Sequence, residues 1–559
     1  MNNLIPLLLA ALLLASCGSP PGDGSNEEAN ATDAKASSGA GSGSPSPATL
    51  PIHAALLPED AWLVATIRPG QLMDKMGYHG FIHMPAIGFL RSKNNSALDY
   101  DFEDEDPRQR ENHVRLTRLL EDPGLTGLNL SQPAYLHLGP PSGKPGPGSF
   151  LPPLPTLGLV LPLADRENFE NFVEWLIRAS EEEDVNRSTR QGVRLLRHEH
   201  WLLAITDTHA RLLFTAVENT LDPDAFLAAT KKPEPLAPAL SAHLARPFDA
   251  GLFLDYKGYA VYARRLIDLT HPRGPNLETA FAEALLGYVE NATVATEFTA
   301  ENGKLQLLSQ TNYGKESPFA ELAGAGAADN LLDLLPASSI ALGSASINMA
   351  GLRKALAELS DELADARELA ELPGFSEVIP ELGLSPAQIL SAFSGDLSAA
   401  LIDLPDPDAE PPFRDLPEFV LALGTVDSAS EVYQQILKNK LLLLFEQAAR
   451  PAFEQIGLSL VAKDNRLILA SRGQAQLLRD GKAAQPVAGQ TRERLAQGSL
   501  NVTLNFAKLA AALPFAPQTE DDEERLLLEA LQLLENVEIH STRQGSDFES
   551  AFTLAFNNK

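Results

Sequence analysis

The segment from Met73 to Met84 concentrates side chains that could bind a soft metal ion. Met73, Met76, His79 and His83 lie within it, and Met73 and Met76 would share one face of a helix. Thioether sulfur and imidazole nitrogen are ligands that suit Cu(I). The competing interpretation is that the methionines pack in the core and the histidines lie in the following loop. We favour the latter, so the sequence predicts no metal site and no cofactor.

A second group of histidines is His198, His200 and His209. In a strand, His198 and His200 would share a face, as the ligands of some zinc sites do. Both fall at a predicted hairpin turn, however, and no further ligand is evident. We therefore interpret them as residues of a solvated turn.

Two acidic runs and one glycine-rich run are given structural interpretations. The run 99–106 lacks the glycine that an EF-hand loop needs at its sixth position, where Asp104 stands, and is interpreted as an acidic loop. The run 520–524 suits the start of a helix, and 324–329 is interpreted as a linker. Nucleophile-elbow, zincin and P-loop motifs are missing from the sequence, so we assign no catalytic residue. A serine–histidine–aspartate triad stays an alternative, because its residues can be distant in the sequence and close together in the folded protein.

The only cysteine of the chain ends a short apolar segment near the N-terminus. Leu14-Ala15-Ser16-Cys17 resembles the lipobox of bacterial lipoproteins, and the apolar run before it is too short to span a bilayer. This resemblance implies a signal peptide over residues 1–16 and lipidation of Cys17, with palmitate or a similar acyl chain. Gly18, rather than Asp, follows the cysteine, which favours the outer membrane of the cell envelope.

The composition excludes several classes of function. The chain has 559 residues and a formal net charge of -30 at pH 7, so its surface repels nucleic acids and anionic lipid headgroups. A single cysteine permits no intramolecular disulfide bond. We therefore expect contact with the bilayer through the Cys17 anchor alone, and no nucleic-acid partner.

After the anchor, residues 17–49 are rich in Gly, Ser, Pro and Ala and contain no aromatic side chain. Such a composition is typical of a disordered tether, with a root-mean-square reach of roughly 30 Å. Beyond it we predict a first α+β domain over 50–313, a linker over 314–333 and a second α+β domain over 334–559.

These two domains are predicted because the same succession of elements occurs twice. A Pro-led turn, a strand and a helix begin at Leu57 and again at Leu335. Each copy continues with a strand, an Asp and a helix, then with a hairpin, which we match as 192–205 and 457–471. Each copy then has a strand and helices, and closes with two strands.

The alternation of apolar residues in these strands, and the short connections between them, predict the architecture. We expect two tandem homologous domains, each an antiparallel sheet with helices packed mainly on one face. The second copy departs from the first near Gly383, where a helix start replaces a strand.

Two segments of the first copy resemble a family of uncharacterised exported lipoproteins. The segments are Leu57-Pro58-Glu59-Asp60-Ala61, followed by Gln71 to Gly77, and Glu121 to Leu136. They are similar to the DUF4836-like domain of Bacteroidetes-type bacteria. This resemblance implies a duplicated exported lipoprotein with no assigned activity.

The leading functional hypothesis is a non-enzymatic, membrane-tethered module that binds or scaffolds an envelope protein or a small ligand. One alternative is a hydrolase with a site assembled between the two copies, which a buried cluster of His with Asp or Ser would favour. Another is a carrier of a lipid or other apolar molecule, for which an apolar cavity of several hundred Å³ would be evidence.

Overall fold

The computed structural model describes the chain from Leu50 onward with internal gaps, and the chain divides into two compact units at the Phe253–Leu254 bond. Cys17, the tether and the acidic run 99–106 lie outside the described residues. The described residues are 50–76, 115, 118–119, 122–140, 155–179, 184–215, 221–231, 236–270, 277–301, 303–314, 317–364, 374–405, 416–427, 429–513, 522–545 and 547–557.

Among the described residues, the first unit contains seven complete strands and several helices, and an eighth strand starts there and ends in the second unit. The strands are β1 (Leu63–Ile67), β2 (Ala134–Gly139), β3 (Thr156–Pro162), β4 (Asn186–Arg190), β5 (Val193–Arg197), β6 (Trp201–Ile205), β7 (His209–Phe214) and β8 (Ala250–Asp255). The α-helices are α1 (Pro69–Met76), α2 (Arg166–Ala179), α3 (Pro223–Lys231) and α4 (Pro238–Leu244), and the 3-10 helices are η1 (Ile52–Leu56) and η2 (Pro123–Thr126).

Strands β1 to β7 form an antiparallel sheet in the order β4-β5-β6-β7-β3-β2-β1. Because neighbouring residues of a strand point to opposite faces, each strand supplies two layers of side chains. On one face, α2 packs in a core that includes Phe169, Trp201 and Leu212. On the other, Phe226 of α3 packs with Leu202.

The α2 helix forms where the sequence predicts it. The Asp165 carboxylate accepts a hydrogen bond from the backbone N–H of Asn168 at 3.0 Å, which satisfies a donor of the first turn. Apolar residues then recur at the helical period and are buried against the sheet. They are Phe169, Phe172, Val173, Leu176 and Ile177.

The described part of the second unit forms ten further strands. They are β9 (Thr293–Glu301), β10 (Lys304–Asn312), β11 (Ala341–Ser346), β12 (Phe393–Asp403), β13 (Glu418–Thr425), β14 (Leu458–Lys463), β15 (Arg466–Ser471), β16 (Leu500–Asn505), β17 (Leu534–Gln544) and β18 (Asp547–Phe556). Their antiparallel order is β9-β10-β18-β17-β16-β11-β12-β13-β15-β14. The predicted α+β class with antiparallel pairing is therefore confirmed.

The helices of the second unit connect these strands. The longer ones are α5 (Tyr256–Thr270), α6 (Leu277–Val289), α8 (Met349–Glu362), α11 (Lys440–Gln455) and α15 (Asp522–Leu533). The shorter ones are η3 (Pro318–Glu321), α7 (Asp329–Leu332), α9 (Pro386–Leu390), α10 (Ala429–Ile436), η4 (Arg472–Gln474), α12 (Ala475–Asp480), α13 (Gly489–Ala496) and α14 (Phe506–Ala512). None of the described helices is long and apolar enough to cross a membrane.

One predicted match between the two copies is wrong. β7 pairs with β3, and β15 pairs with β13. The counterpart of the β14–β15 hairpin is therefore β6–β7, residues 201–214, and not the predicted 192–205. Strands β4 and β5 are an additional pair in the first copy.

Two separate tandem domains are not confirmed. β10 pairs with β18 from Lys304–Ala555 to Asn312–Asp547, so the closing strands of both predicted copies lie in one sheet of the second unit. The predicted linker 314–333 contains η3 and α7, and its Leu331 and Leu332 are fully buried. The segment is thus part of the core, because its leucines cover one face of the sheet.

The two faces of this sheet differ in burial. Val420 of β13 and Ile468 of β15 are buried under α7 and α12. On the opposite face, Leu421 of β13 is 36% exposed and Leu460 of β14 is 53% exposed. The second unit therefore presents an apolar sheet surface that is partly open.

Candidate functional site

The predicted soft-metal ligands fall only partly within the described residues. Met73 and Met76 lie on α1, whereas His79 and His83 lie outside the described residues. Within the described ranges, no group of three His, Cys, Asp or Glu side chains is arranged to hold a metal ion. The interpretation of these four residues stays a prediction.

Of the second predicted group, His198 and His200 lie together, with 6.3 Å between their ring centroids, and His209 lies apart from them. His198 and His200 lie in the turn between β5 and β6, as predicted, but they are half-buried rather than solvated. The His198 ring stacks on Trp201 with 5.8 Å between ring centroids. His209 lies on β7, where its ring faces His53 at 5.8 Å. These rings serve as packing groups in the first unit.

A buried polar cluster that the sequence analysis missed lies on one face of the first sheet. His137 of β2 is 1% exposed, and Arg211 of β7 is 4% exposed. Burial, with the nearby Arg211 charge, lowers the pKa of His137 to about 3. Burial, with His53 and Arg211, lowers the pKa of His209 to about 4. Both imidazoles are therefore neutral at pH 7.

Gly158 of β3 makes the room for this cluster. It lies opposite His137, and a Cβ atom at position 158 would lie 2.1 Å from His137 Nε2. A glycine inside a strand often marks such a close approach, so this residue was the available sequence signal.

The cluster does not have the composition of a hydrolytic site. His209 Nδ1 is hydrogen-bonded with the hydroxyls of Thr206 and Thr208, each at 3.1 Å. Among the described residues, no serine or carboxylate is hydrogen-bonded to the ring of His53, His137 or His209. With the described residues, His53, His137 and His209 therefore form no serine–histidine–carboxylate set.

Acidification is expected to destabilise the first unit through His137. Its pKa is about 3 in the folded state and near 6.5 when unfolded, so the unfolded chain binds more protons between these values. The free energy of unfolding should fall by a few kcal/mol from pH 7 to pH 4. His137→Gln should remove much of this dependence. Urea unfolding at several pH values, followed by tryptophan fluorescence, measures it; equal pH slopes in both proteins would refute this role.

A cavity of about 300 Å³ opens in the second unit where several chain segments meet. Its lining is mainly apolar. Tyr313 follows β10, Phe319 and Ala320 belong to η3, and Leu352 belongs to α8. The remaining lining residues are Leu322, Ala323, Ser346, Ile347, Ser499, Leu500, Arg543, Asp547 and Phe548. The cavity lies at the small end of the size range of ligand pockets.

The predicted linker builds one wall of this cavity. The Asn348 N–H donates to the Leu322 carbonyl, and the Gly324 N–H donates to the Ser346 carbonyl, each at 2.9 Å. Gly351 allows close contact between α8 and η3, because a Cβ atom there would lie 2.6 Å from the Glu321 carbonyl oxygen. These contacts fix η3 and its aromatic residue beside α8.

Three of the polar side chains in the wall are hydrogen-bonded within the protein. The Ser346 hydroxyl donates to Asp396 Oδ1 at 2.9 Å, and the Ser499 hydroxyl donates to the Ser541 carbonyl at 3.3 Å. At the rim, Arg543 Nε donates to the Gly545 carbonyl at 2.8 Å. An occupant would therefore meet a mostly apolar surface.

The first copy has an ion pair at the position that corresponds to the cavity. There the residue after β1 contacts the residue before β8, as the end of β11 contacts the residue before β16. The Arg68 N–H donates to the Asp249 carbonyl, as the Ser346 N–H donates to the Ser499 carbonyl. Asp249 is fully buried and lies 2.9 Å from Lys75 Nζ, whereas its counterpart Ser499 lines the apolar cavity. Among the described residues, the two positions therefore differ: one holds an ion pair and the other lines the cavity.

Comparison with known proteins adds little to this description. No family model and no curated protein sequence match the chain. Crystal form I of TP0453 matches with 9% identity and a TM-score of 0.25, over 49% of this chain and 81% of that chain. Crystal form III matches with 10% identity and a TM-score of 0.24, over 49% and 82%. Likeness at this level supports no conclusion about function, and the DUF4836-like resemblance stays a prediction.

Proposed function

We propose that this protein is a lipid-anchored binding module of the bacterial cell envelope that holds the apolar part of a small ligand in its second unit. The anchor is proposed from the lipobox-like residues ending at Cys17. Binding is proposed from one observation, the apolar cavity of about 300 Å³ lined by aromatic and aliphatic side chains. Transfer of apolar surface from water into such a cavity is favourable.

The burial of the wall supports this function over a catalytic one. Ser346 and Ser499 are buried and hydrogen-bonded within the protein, so neither hydroxyl is placed as a free nucleophile. The cavity has no histidine in its lining. Its surface can exclude water from a ligand, but it provides no paired acid and base.

A second candidate function is scaffolding of an envelope protein. The partly open sheet face with Leu421 and Leu460 favours it, because exposed apolar surface of this kind often marks a protein interface. β14 also lies at the edge of its sheet, where a strand of a partner could pair.

Filling the cavity is expected to abolish binding of a neutral apolar probe such as N-phenyl-1-naphthylamine. Ala320→Phe adds an aromatic ring to the cavity wall, and the affinity should fall at least about tenfold, since the ring takes space the probe needs. Ala350→Phe is the matched control, because Ala350 is exposed on α8 and does not line this cavity. Fluorescence titration measures both. Equal affinities of the two variants would show that the probe binds elsewhere.

A further inference from the structure

The rim of the apolar cavity carries a cation whose outer nitrogens have no partner in the protein. Among the described residues that line the cavity, Arg543 is the cationic one. Its Nε atom donates to the Gly545 carbonyl at 2.8 Å, whereas its two Nη atoms make no hydrogen bond or ion pair within the described part of the chain. The residue is exposed, so the Nη donors remain for a ligand.

Strand pairing places this arginine beside the apolar wall. Arg543 of β17 lies directly opposite Phe548 of β18, which also lines the cavity. Side chains of directly paired residues share one face of a sheet, with Cβ atoms about 4.5–5.5 Å apart. The stem of an arginine can lie along such apolar surface while its guanidinium stays in water. Arg543 therefore lies where the apolar lining meets the solvent.

The acidic residue of the lining is less available to a ligand. Asp547 Oδ1 accepts a hydrogen bond from the Asn312 amide at 2.6 Å. Because neighbouring residues of a strand point to opposite faces, Asp547 belongs to the face of β18 that Phe548 does not share. Glu549, the next residue on that face, accepts a hydrogen bond from an amide of β10 at 3.0 Å. The carboxylates of β18 are thus bonded to amides, on the face away from Arg543.

We infer that the ligand is a single-chain amphiphile whose apolar chain fills the cavity and whose carboxylate pairs with Arg543. This inference rests on the proposed binding function. The Nη groups of a guanidinium match the two oxygens of a carboxylate, so the pair can be bidentate. The whole chain has a net charge of -30, so an anion needs such a local cation to be held. A cavity of about 300 Å³ suits one chain rather than two.

Competition against N-phenyl-1-naphthylamine on the full chain tests the assignment of the headgroup. Decanoate and decanol have the same chain length, and only decanoate carries a charge. Arg543→Gln should weaken decanoate binding at least about fivefold and leave decanol binding within about twofold, because only the carboxylate loses its partner. Arg543→Lys should lose less, since it keeps the charge without the planar fork. Acetate should not displace the probe, because it has no chain to fill the cavity.

Arg479→Gln is the matched control. Arg479 is likewise exposed in the second unit, at the end of α12, but it does not line the cavity, so its loss should change neither affinity. Equal decanoate binding in the two glutamine variants would overturn the carboxylate assignment, even if the probe still binds. Decylamine binding more tightly than decanoate to the unmodified protein would overturn it as well. Failure of the probe, decanol and decanoate all to bind would refute the proposed function itself.

Discussion

Replacing Cys17 with Ser is expected to move the protein from the membrane fraction to the soluble fraction. A serine hydroxyl cannot form the thioether that a lipoprotein anchor requires. Each buried methylene contributes about 0.8 kcal/mol, and two or more acyl chains hold a protein stably on a bilayer, so the change should be nearly complete. Ultracentrifugation of cell lysates, with detection of the protein in pellet and supernatant, measures it.

The control for this experiment is Ser19→Ala, which leaves the thiol and the preceding residues intact. This variant should sediment with membranes as the unmodified protein does. If Cys17→Ser also stays in the membrane pellet after washing with high salt, lipidation at Cys17 does not anchor the protein.

The second large effect is expected at Gly127. Its φ is +76°, and a Cβ atom there would lie 2.3 Å from the Asp165 carbonyl oxygen and 2.5 Å from the Phe169 nitrogen. Both are backbone atoms at the start of α2, so the contact cannot be relieved by a side-chain rotation. Gly127→Ala should therefore lower the free energy of unfolding of the first unit by about 3 kcal/mol or more.

Gly192 is a matched control for this substitution. Its φ is +81°, but no heavy atom lies within 4 Å of a Cβ placed there. Gly192→Ala should therefore cost only the backbone strain, about 1–2 kcal/mol. Urea unfolding followed by tryptophan fluorescence reports on the first unit alone, because Trp62, Trp175 and Trp201 are the only tryptophans of the chain. Similar losses in both variants would contradict the close contact at Gly127.

Helices and strands that are determined by residues close together in the sequence were predictable. Residues Arg166–Ala179 form a helix because Asp165 caps it and its apolar residues follow the helical period. The hairpin match failed because β5–β6 and β6–β7 both resemble β14–β15 locally, and only pairing with β3 or β13 distinguishes them.

The candidate site was not predictable, because distant segments build it. Phe319 and Leu322 lie in a segment whose small residues suggested a linker, and Leu500 and Phe548 come from strands far along the chain. The decisive features are the pairing of β10 with β18 and the docking of η3 on α8. The composition of the chain and the spacing of its residues do not indicate contacts between such distant segments. Of the residues that drew attention in the sequence, the described His198, His200 and His209 do not line the apolar cavity.

The most direct test of the central claim is to locate a bound apolar probe by methyl nuclear magnetic resonance of the full chain. Titration with N-phenyl-1-naphthylamine should shift the methyl signals of Leu322, Ile347 and Leu352, which line the apolar cavity. Signals of Leu161 and Leu176 in the core of the first unit should stay unchanged. Shifts confined to Leu421 and Leu460 on the open sheet face, or no shifts in the cavity, would contradict the proposed binding site.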